Sequence, residues 1–187
     1  MIRAAKPSDA ESVAPLIIQA MGDLAKKFTN SDDLGIIIPV FEYFFRQQGN
    51  QYSFENTLVF QNESEVLGSI NAYDGANLQE LRKPFLAYLA KNYGLKDFNP
   101  EPETEAGEFY LDAISVNPIM QGKGIGKLLI QAGINWAAKL EHTKVGLLVE
   151  ISNKGALKLY QNMGFQIQNE KPFIGGMYYH MVYEMNV

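Results

Sequence analysis

Apolar and polar residues recur along the chain with two periods, which predict strands and helices respectively. Short stretches rich in β-branched and aromatic residues predict strands at residues 2–5, 57–60, 66–73, 108–116, 145–151, 165–169 and 177–185. Apolar residues that recur every three or four positions predict helices at about residues 13–24, 33–48, 78–93, 124–140 and 153–163. An antiparallel start followed by alternating strands and helices predicts an α/β fold, in which a mixed sheet carries helices on its faces.

Residues 76–107 form a long connection between two predicted strands. This insertion holds one predicted helix and then a loop whose acidic residues are Glu101, Glu103 and Glu105, with Glu108 directly after it. A connection of this length usually serves a purpose, such as a lid or an interface. The carboxylates would attract a cationic substrate. The alternative is a solvated run of charge.

The composition indicates one globular domain over residues 1–187. Of the 187 residues, 47% are hydrophobic and 20% are charged, which is typical of a chain with a buried core. The absence of cysteine excludes a disulfide framework, a Cys-ligated zinc site and a thiolate nucleophile. Because the chain has two histidines, His142 and His180, we expect no metal site built from several imidazoles.

Charge and hydropathy narrow the expected partners. A net charge of −5 argues against a nucleic-acid partner, since nucleic-acid-binding surfaces are usually basic. No apolar run approaches the roughly 20 residues of a membrane span, so we expect no membrane contact. The first residues resemble a strand rather than a signal peptide, which together with the lack of cysteine favours the cytoplasm. The aromatic-rich helix at 33–48 and the last strand leave room for a homodimer interface.

The segment from Gln121 to Lys127 carries the most specific chemical signal. It follows a predicted strand and opens an amphipathic helix, and it contains Gly122, Gly124 and Gly126. A glycine-rich turn at a helix N-terminus presents several backbone N–H groups to one anion, and the helix dipole favours negative charge there. With Lys123 and Lys127 nearby, the segment predicts a pyrophosphate-binding loop.

Two common nucleotide-binding motifs do not fit this segment. A Walker loop requires four residues between its glycines and a hydroxyl residue after the lysine, whereas here the spacing is one residue short and Leu128 follows Lys127. A Rossmann loop requires Gly-x-Gly-x-x-Gly, whereas these glycines alternate.

The loop instead resembles that of the GNAT family of N-acetyltransferases. The family loop has the form Gln/Arg-x-x-Gly-x-Gly/Ala, matched here by Gln121, Gly124 and Gly126. A downstream motif also resembles the family's strand-and-helix signature: Leu147-x-Val149-x-x-x-Asn153-x-x-Ala156-x-x-x-Tyr160-x-x-x-Gly164-Phe165. The resemblance implies a mostly antiparallel sheet of six to seven strands, with a helical insertion between the third and fourth strands.

The resemblance also implies an acetyl-CoA site without a metal. Backbone groups of Ile114, Ser115 and Val116 would bind the pantetheine and the thioester carbonyl. Backbone N–H groups of the loop would bind the pyrophosphate: Gln121, Gly122, Lys123, Gly124, Ile125, Gly126 and Lys127. Asn153 would contact the pantetheine arm, although an Asn at that place is also a common helix N-cap.

The implied reaction moves an acetyl group from acetyl-CoA to a primary amine of a small molecule or peptide. Without cysteine we expect direct attack in a ternary complex. Tyr160 matches the family position that protonates the leaving thiolate, and its alternative role is in the core. Glu108 is the preferred general base and Asp112 the second candidate, with Glu150 also in range. The alternative functions are a non-catalytic acyl-CoA sensor or interaction module and, less favoured, a ligand-free homodimer.

Overall fold

The computed structural model describes residues 1–63 and 65–185, and it contains one seven-stranded sheet. Its strands are β1 (Ile2–Ala4), β2 (Thr57–Asn62), β3 (Glu65–Asp74), β4 (Phe109–Val116), β5 (Lys144–Glu150), β6 (Gln166–Phe173) and β7 (Gly176–Glu184). The spatial order is β1-β2-β3-β4-β5-β7-β6, and every neighbouring pair is antiparallel except β4 and β5. The predicted mixed, mostly antiparallel sheet is therefore confirmed.

Helices cover both faces of the sheet. They are α1 (Ala10–Met21), α2 (Asp23–Thr29), α3 (Leu34–Arg46), α4 (Leu78–Tyr93), α5 (Ile125–Lys139) and α6 (Lys154–Asn162). Helix α5 packs with aliphatic residues of β3, β4 and β5, including Ile70, Leu111 and Leu147. Helix α1 lies against β3 and β4 on the opposite face and packs beside α3.

Most predicted helix boundaries are accurate to a few residues. The first predicted helix is the exception, because it is divided at Gly22, whose φ of 56° is incompatible with a continuous right-handed helix. Asp33 caps α3 by accepting a hydrogen bond from Gly35 N–H at 2.8 Å. Pro39 and Pro84 lie inside α3 and α4, and neither ends its helix.

The insertion between β3 and β4 forms part of the core. Its helix α4 buries Phe85, whose ring lies 5.2 Å from Phe28, 5.1 Å from Phe44 and 4.9 Å from Tyr52, measured between centroids. Edge-to-face aromatic pairs of this kind add about 0.5–1.5 kcal/mol each beyond the area they bury. These contacts anchor helix α4 in the hydrophobic core.

Two further features bear on the function class. None of the helices in the described residues is long and apolar enough to cross a lipid bilayer. Nor do His, Cys, Asp and Glu side chains within the described ranges gather in groups of three or more that could hold a metal ion.

Candidate active site

The sheet opens between β4 and β5. These two strands pair at only two positions, Phe109 with Val145 and Tyr110 with Gly146. Beyond them β5 continues along β7, whereas β4 continues along β3 as far as Val116. Within the described residues, the edge of β4 that faces β5 therefore has no strand partner from residue 111 to 116. Backbone N–H and C=O groups on such an edge are free to bind a ligand.

A cavity of about 980 Å³ runs through this opening. Every predicted site residue lines it except Glu108 and Lys123. The glycine-rich loop, the free edge of β4 and the start of α6 form one side. Helices α1, α2 and α4, with the turn between β6 and β7, form the other side. The volume matches that of a site for a large organic ligand.

The glycine-rich loop presents a row of free amides. Gly122 and Gly124 adopt φ values of 76° and 82°, in the left-handed region that favours glycine. Among the described residues, the N–H groups of residues 122–127 form no hydrogen bond. Three of these groups belong to the first turn of α5, where the helix dipole adds partial positive charge. The arrangement can therefore bind a polyanion such as a diphosphate.

One backbone amide of the loop segment differs from the sequence prediction, and the two lysine side chains are placed differently from each other. The Gln121 N–H donates to Pro118 O at 3.3 Å, so it is not free for a phosphate. Lys123 is exposed beside the loop, with its Nζ 3.3 Å from Met120 Sδ. Lys127, in contrast, lines the cavity and supplies positive charge there.

The end of β4 is supported by a residue that sequence reasoning missed. Gln19 of α1 donates from its side-chain amide to Ser115 Oγ at 2.8 Å and to Val116 O at 3.0 Å. Gln121 also donates to Val116 O, at 3.2 Å. The Val116 carbonyl is thus already engaged, which leaves the backbone groups nearer Ile114 as the better candidates to bind the thioester.

Asn153 combines the two roles considered for it. Its Oδ1 accepts a hydrogen bond from Ala156 N–H at 3.1 Å and caps α6, and the residue also lines the cavity. Its Nδ2 makes no hydrogen bond within the described residues. One side chain can therefore fix the helix start and still donate to a ligand.

Tyr160 lies on α6, partly buried against Phe165, with 5.9 Å between the ring centroids. Burial raises the pKa of Tyr160 to about 12. The phenol therefore stays neutral at physiological pH and keeps a proton available for donation. Because a thiol has a pKa of about 8.5, full transfer to a thiolate is unfavourable, and Tyr160 is better suited to stabilising it by a hydrogen bond.

Glu108 does not line the cavity. It is 7% exposed, with Oε1 3.0 Å from His180 Nε2 and Oε2 3.2 Å from Thr104 Oγ1. Its carboxylate also fills the space beside Gly146, where an added Cβ would lie 2.5 Å from Oε2. These contacts indicate a structural pair with His180 and give no support to the general-base role preferred from the sequence.

Asp112 lies in the cavity instead. It is the extra residue of a β-bulge, since Asn71 pairs with Ala113 and Ala72 pairs with Leu111. Its Oδ2 accepts hydrogen bonds from Gln51 Nε2 at 2.9 Å and from Tyr73 Oη at 3.0 Å. Burial raises the pKa of Asp112 above its ordinary value, against the opposing effect of these two hydrogen bonds.

A second carboxylate, Glu103, reaches the same place from the insertion. Its Oε1 lies 3.0 Å from Gln51 Nε2, and its Oε2 forms a fully buried ion pair with Arg82 of α4. Burial and the neighbouring Asp112 raise the pKa of Glu103 to about 7, against the opposing effect of Arg82. Sequence reasoning placed Glu103 in an acidic series but did not distinguish it from its neighbours.

The other acids of that series have different partners. Glu105 pairs with Lys171 of β6 at 2.6 Å, and Glu101 accepts from Ile174 N–H at 3.1 Å. These contacts link the insertion to β6 and to the turn between β6 and β7, and neither Glu101 nor Glu105 lines the cavity. Glu101 and Glu105 are exposed, and Glu103 is the one acid of this series that lines the cavity in the part of the chain that the structure describes.

The comparison with protein families decides the classification. A model of the acetyltransferase (GNAT) family matches residues 30–165 of the chain. The chain belongs to the GNAT family. The predicted family is confirmed, and the free amides, the opening between β4 and β5 and the cavity are the structural basis of the motif match. The GNAT family uses acetyl-CoA, and the free amides of residues 122–127 fit its diphosphate.

Several known proteins that resemble this GNAT chain are named acetyltransferases. A mycothiol acetyltransferase of Gordonia bronchialis is 41% identical over 84 residues, covering 43% of this chain and 27% of that protein. The spermine/spermidine N(1)-acetyltransferase of Bacillus subtilis is 34% identical over 76 residues, covering 40% of this chain and 50% of that protein. The matched segments thus span half or less of these curated relatives. A crystal structure of an acetyltransferase superposes with a TM-score of 0.83 at 28% identity, covering 100% of both chains.

Proposed function

We propose that this protein transfers an acetyl group from acetyl-CoA to a primary amine of a small molecule or peptide, by direct attack in a ternary complex. The observation that carries the proposal is one continuous cavity, which joins the free amides of residues 122–127 to the carboxylate of Asp112. The amides of residues 122–127 suit a diphosphate, and the carboxylate of Asp112 suits an ammonium group. The enzyme would act as a single domain over residues 1–187 in the cytoplasm.

The donor would lie along the loop and the free edge of β4. Amides of residues 122–127 bind the diphosphate, Lys127 adds charge, and Asn153 Nδ2 donates to the pantetheine arm. Backbone N–H groups near Ile114 lie where they can stabilise negative charge that develops on the thioester oxygen. The donor supplies an activated acetyl group, and these residues fix its carbonyl in the opening of the sheet.

The acceptor would enter from the side of α2 and α4. Asp112 takes one proton from the ammonium group, which frees the nitrogen lone pair. That lone pair forms the new C–N bond to the acetyl carbon while the C–S bond breaks, and the sulfur leaves with its electron pair. The nitrogen then loses its second proton, and the sulfur gains one, so that an amide and a free thiol result. Tyr160 donates a hydrogen bond to the departing sulfur.

Replacing Tyr160 with Phe is expected to lower kcat by about 100-fold, which is typical for loss of one donor to a charge that develops in the transition state. The Kd for acetyl-CoA is expected to stay within about twofold of wild type, because the hydroxyl acts on the departing sulfur. Single-turnover kinetics and calorimetric titration measure the two quantities.

Tyr183→Phe is the matched control for this variant. Tyr183 packs against the same Phe165, with 5.6 Å between centroids, but does not line the cavity. Its variant is expected to keep wild-type kcat. Equal losses of kcat and affinity in Tyr160→Phe would assign Tyr160 to binding or packing.

The function itself is tested by titration with acetyl-CoA, followed by a screen of amine acceptors that monitors release of the free thiol. The screen includes spermine and spermidine, because relatives carry those names, together with amino-acid amides and lysine peptides. Binding with turnover supports the proposal. Binding without turnover of any amine would indicate an acyl-CoA sensor, and the absence of binding would overturn the proposal altogether.

A further inference from the structure

At the acceptor end of the cavity, the carboxylates of Asp112 and Glu103 and the guanidinium of Arg82 belong to one hydrogen-bond network. Gln51 Nε2 lies 2.9 Å from Asp112 Oδ2 and 3.0 Å from Glu103 Oε1, so both carboxylates converge on one amide. Tyr73 Oη lies 3.0 Å from Asp112 Oδ2 and 3.5 Å from Glu103 Oε1. Arg82 pairs with Glu103 and forms no ion pair with Asp112 within the described residues.

The parts of this network come from separate elements that are firmly held. Arg82 is 3% exposed, and its Nη1 also donates to Pro100 O at 3.2 Å, which fixes the loop that carries Glu103. Gln51 N–H donates to Leu81 O of α4 at 2.8 Å. The insertion therefore places Glu103 and Arg82 at a fixed distance from Asp112 of β4.

We infer that Glu103 is a positioning residue of the reaction, which is held by Arg82, shares the donors Gln51 and Tyr73 with Asp112, and sets how readily the Asp112 carboxylate takes the proton of the acceptor amine. The inference rests on the proposed function, because it concerns the same site. It assigns a role in the chemistry to the insertion between β3 and β4. Without the insertion, Gln51 and Tyr73 would serve Asp112 alone, because Glu103 would no longer share them.

Other charged and titratable groups line the cavity or contact this network. They are Tyr52 before β2, Tyr73 of β3, Tyr110 of β4, Asp23 and Lys27 of α2, Lys127 of α5 and Glu150 of β5. Burial raises the pKa values of Tyr52, Tyr73 and Tyr110 well above the ordinary range, so these phenols stay neutral. The remaining four residues form no hydrogen bond or ion pair with Asp112 in the described residues. The charge state of Asp112 therefore depends mainly on Glu103 and Arg82.

The two partners of the ion pair act on Asp112 in opposite directions. When both carboxyls are ionised, each disfavours the charge of the other, whereas the Arg82 cation favours the charged form of both. Loss of the Glu103 charge also frees Arg82 to act on Asp112. A general base must be deprotonated to act, so kcat/KM falls at low pH as Asp112 takes up a proton, and this fall is the acid limb of the pH profile. Because two close carboxyls titrate together, the apparent pKa of the acid limb belongs to Asp112 and Glu103 as a pair.

The experiment measures kcat/KM against pH with one amine for wild type, Glu103→Gln and Arg82→Gln. The acid limb is expected to move by about one pH unit or more to lower pH in Glu103→Gln, and by a similar amount to higher pH in Arg82→Gln. Tyr73→Phe removes one donor to Asp112, keeps the ring in place and is expected to move the limb to higher pH. Glu80→Gln is the control, because Glu80 is an exposed residue of α4 that pairs with Lys83.

Opposite displacements would support the inference, since a purely structural role lowers activity without moving the limb in two directions. An unchanged limb in Glu103→Gln, in a folded variant that turns over, would overturn the inference while the proposed function stands. If Arg82→Gln fails to fold, Glu103→Gln still decides, and Tyr73→Phe, which is expected to move the limb in the opposite direction, shows that the limb reports Asp112. The carboxyl ¹³C titration of Asp112 is expected to show the same displacements without turnover, so an inactive wild type would not hide the result.

Discussion

Replacing Asp112 with Asn is expected to lower kcat/KM by about 10²- to 10⁴-fold, the usual contribution of a positioned general base. The amide keeps the size of the side chain and can still accept hydrogen bonds from Gln51 and Tyr73, but it cannot take a proton from an ammonium group. Affinity for acetyl-CoA is expected to change little, because Asp112 lies on the acceptor side of the cavity. Release of free thiol with an active amine measures the first quantity, and calorimetric titration the second.

Glu108→Gln provides the comparison that decides between the two candidate bases. Gln can keep a hydrogen bond to His180, so this variant is expected to lose stability rather than catalytic rate in the folded enzyme. The thermal midpoint and kcat, measured on the same samples, separate the two effects. A folded Glu108→Gln variant without activity, beside an active Asp112→Asn variant, would return the role of base to Glu108.

Replacing Gly126 with Pro is expected to weaken acetyl-CoA binding by about 10- to 100-fold, which corresponds to loss of one hydrogen bond of about 1.5–3 kcal/mol to a charged group. The Gly126 N–H lies in the first turn of α5 and has no acceptor within the described residues. Proline therefore removes a donor to the ligand without breaking a helical hydrogen bond. Calorimetric titration with acetyl-CoA checks the loss.

Gly126→Ala is the matched control, because it adds a methyl group and keeps the N–H. The added Cβ would lie 3.9 Å from Leu159 Cδ2 and from Val116 Cγ2, which is ordinary van der Waals contact. The Ala variant is expected to bind acetyl-CoA clearly more tightly than the Pro variant. Equal affinities in the two variants, with both folded, would mean that this amide does not contact the diphosphate.

Local signals account for the parts of the molecule that could be predicted. The turn at Gly122 and Gly124 requires left-handed backbone, and the amphipathic helix begins directly after it. A few adjacent residues therefore determine both features. The alternating pattern before Pro118 likewise defines β4. The binding loop and its strand and helix were predictable because each depends on neighbours along the chain.

The acceptor end was not predictable, because it depends on contacts between distant segments. Gln51, Tyr73, Arg82, Glu103 and Asp112 lie on five different elements or loops and carry no common motif. The spacing along β4 placed Glu108 and Asp112 on one face of the strand. The bulge at Asp112 directs the latter to Tyr73, whereas Glu108 meets His180 of β7. Neither a one-residue bulge, such as that at Asp112, nor a contact with a residue of a distant strand, such as that of Glu108 with His180, produces a recognisable sequence pattern.

The central claim is that the amides of residues 122–127 bind the diphosphate of acetyl-CoA, and it is tested most directly by NMR titration of the ¹⁵N-labelled chain with coenzyme A. The account predicts that the amide resonances of residues 122–127 shift strongly downfield and saturate together. It predicts smaller shifts with pantetheine, which lacks the diphosphate. Saturable binding of coenzyme A that leaves these six resonances in place would contradict the account.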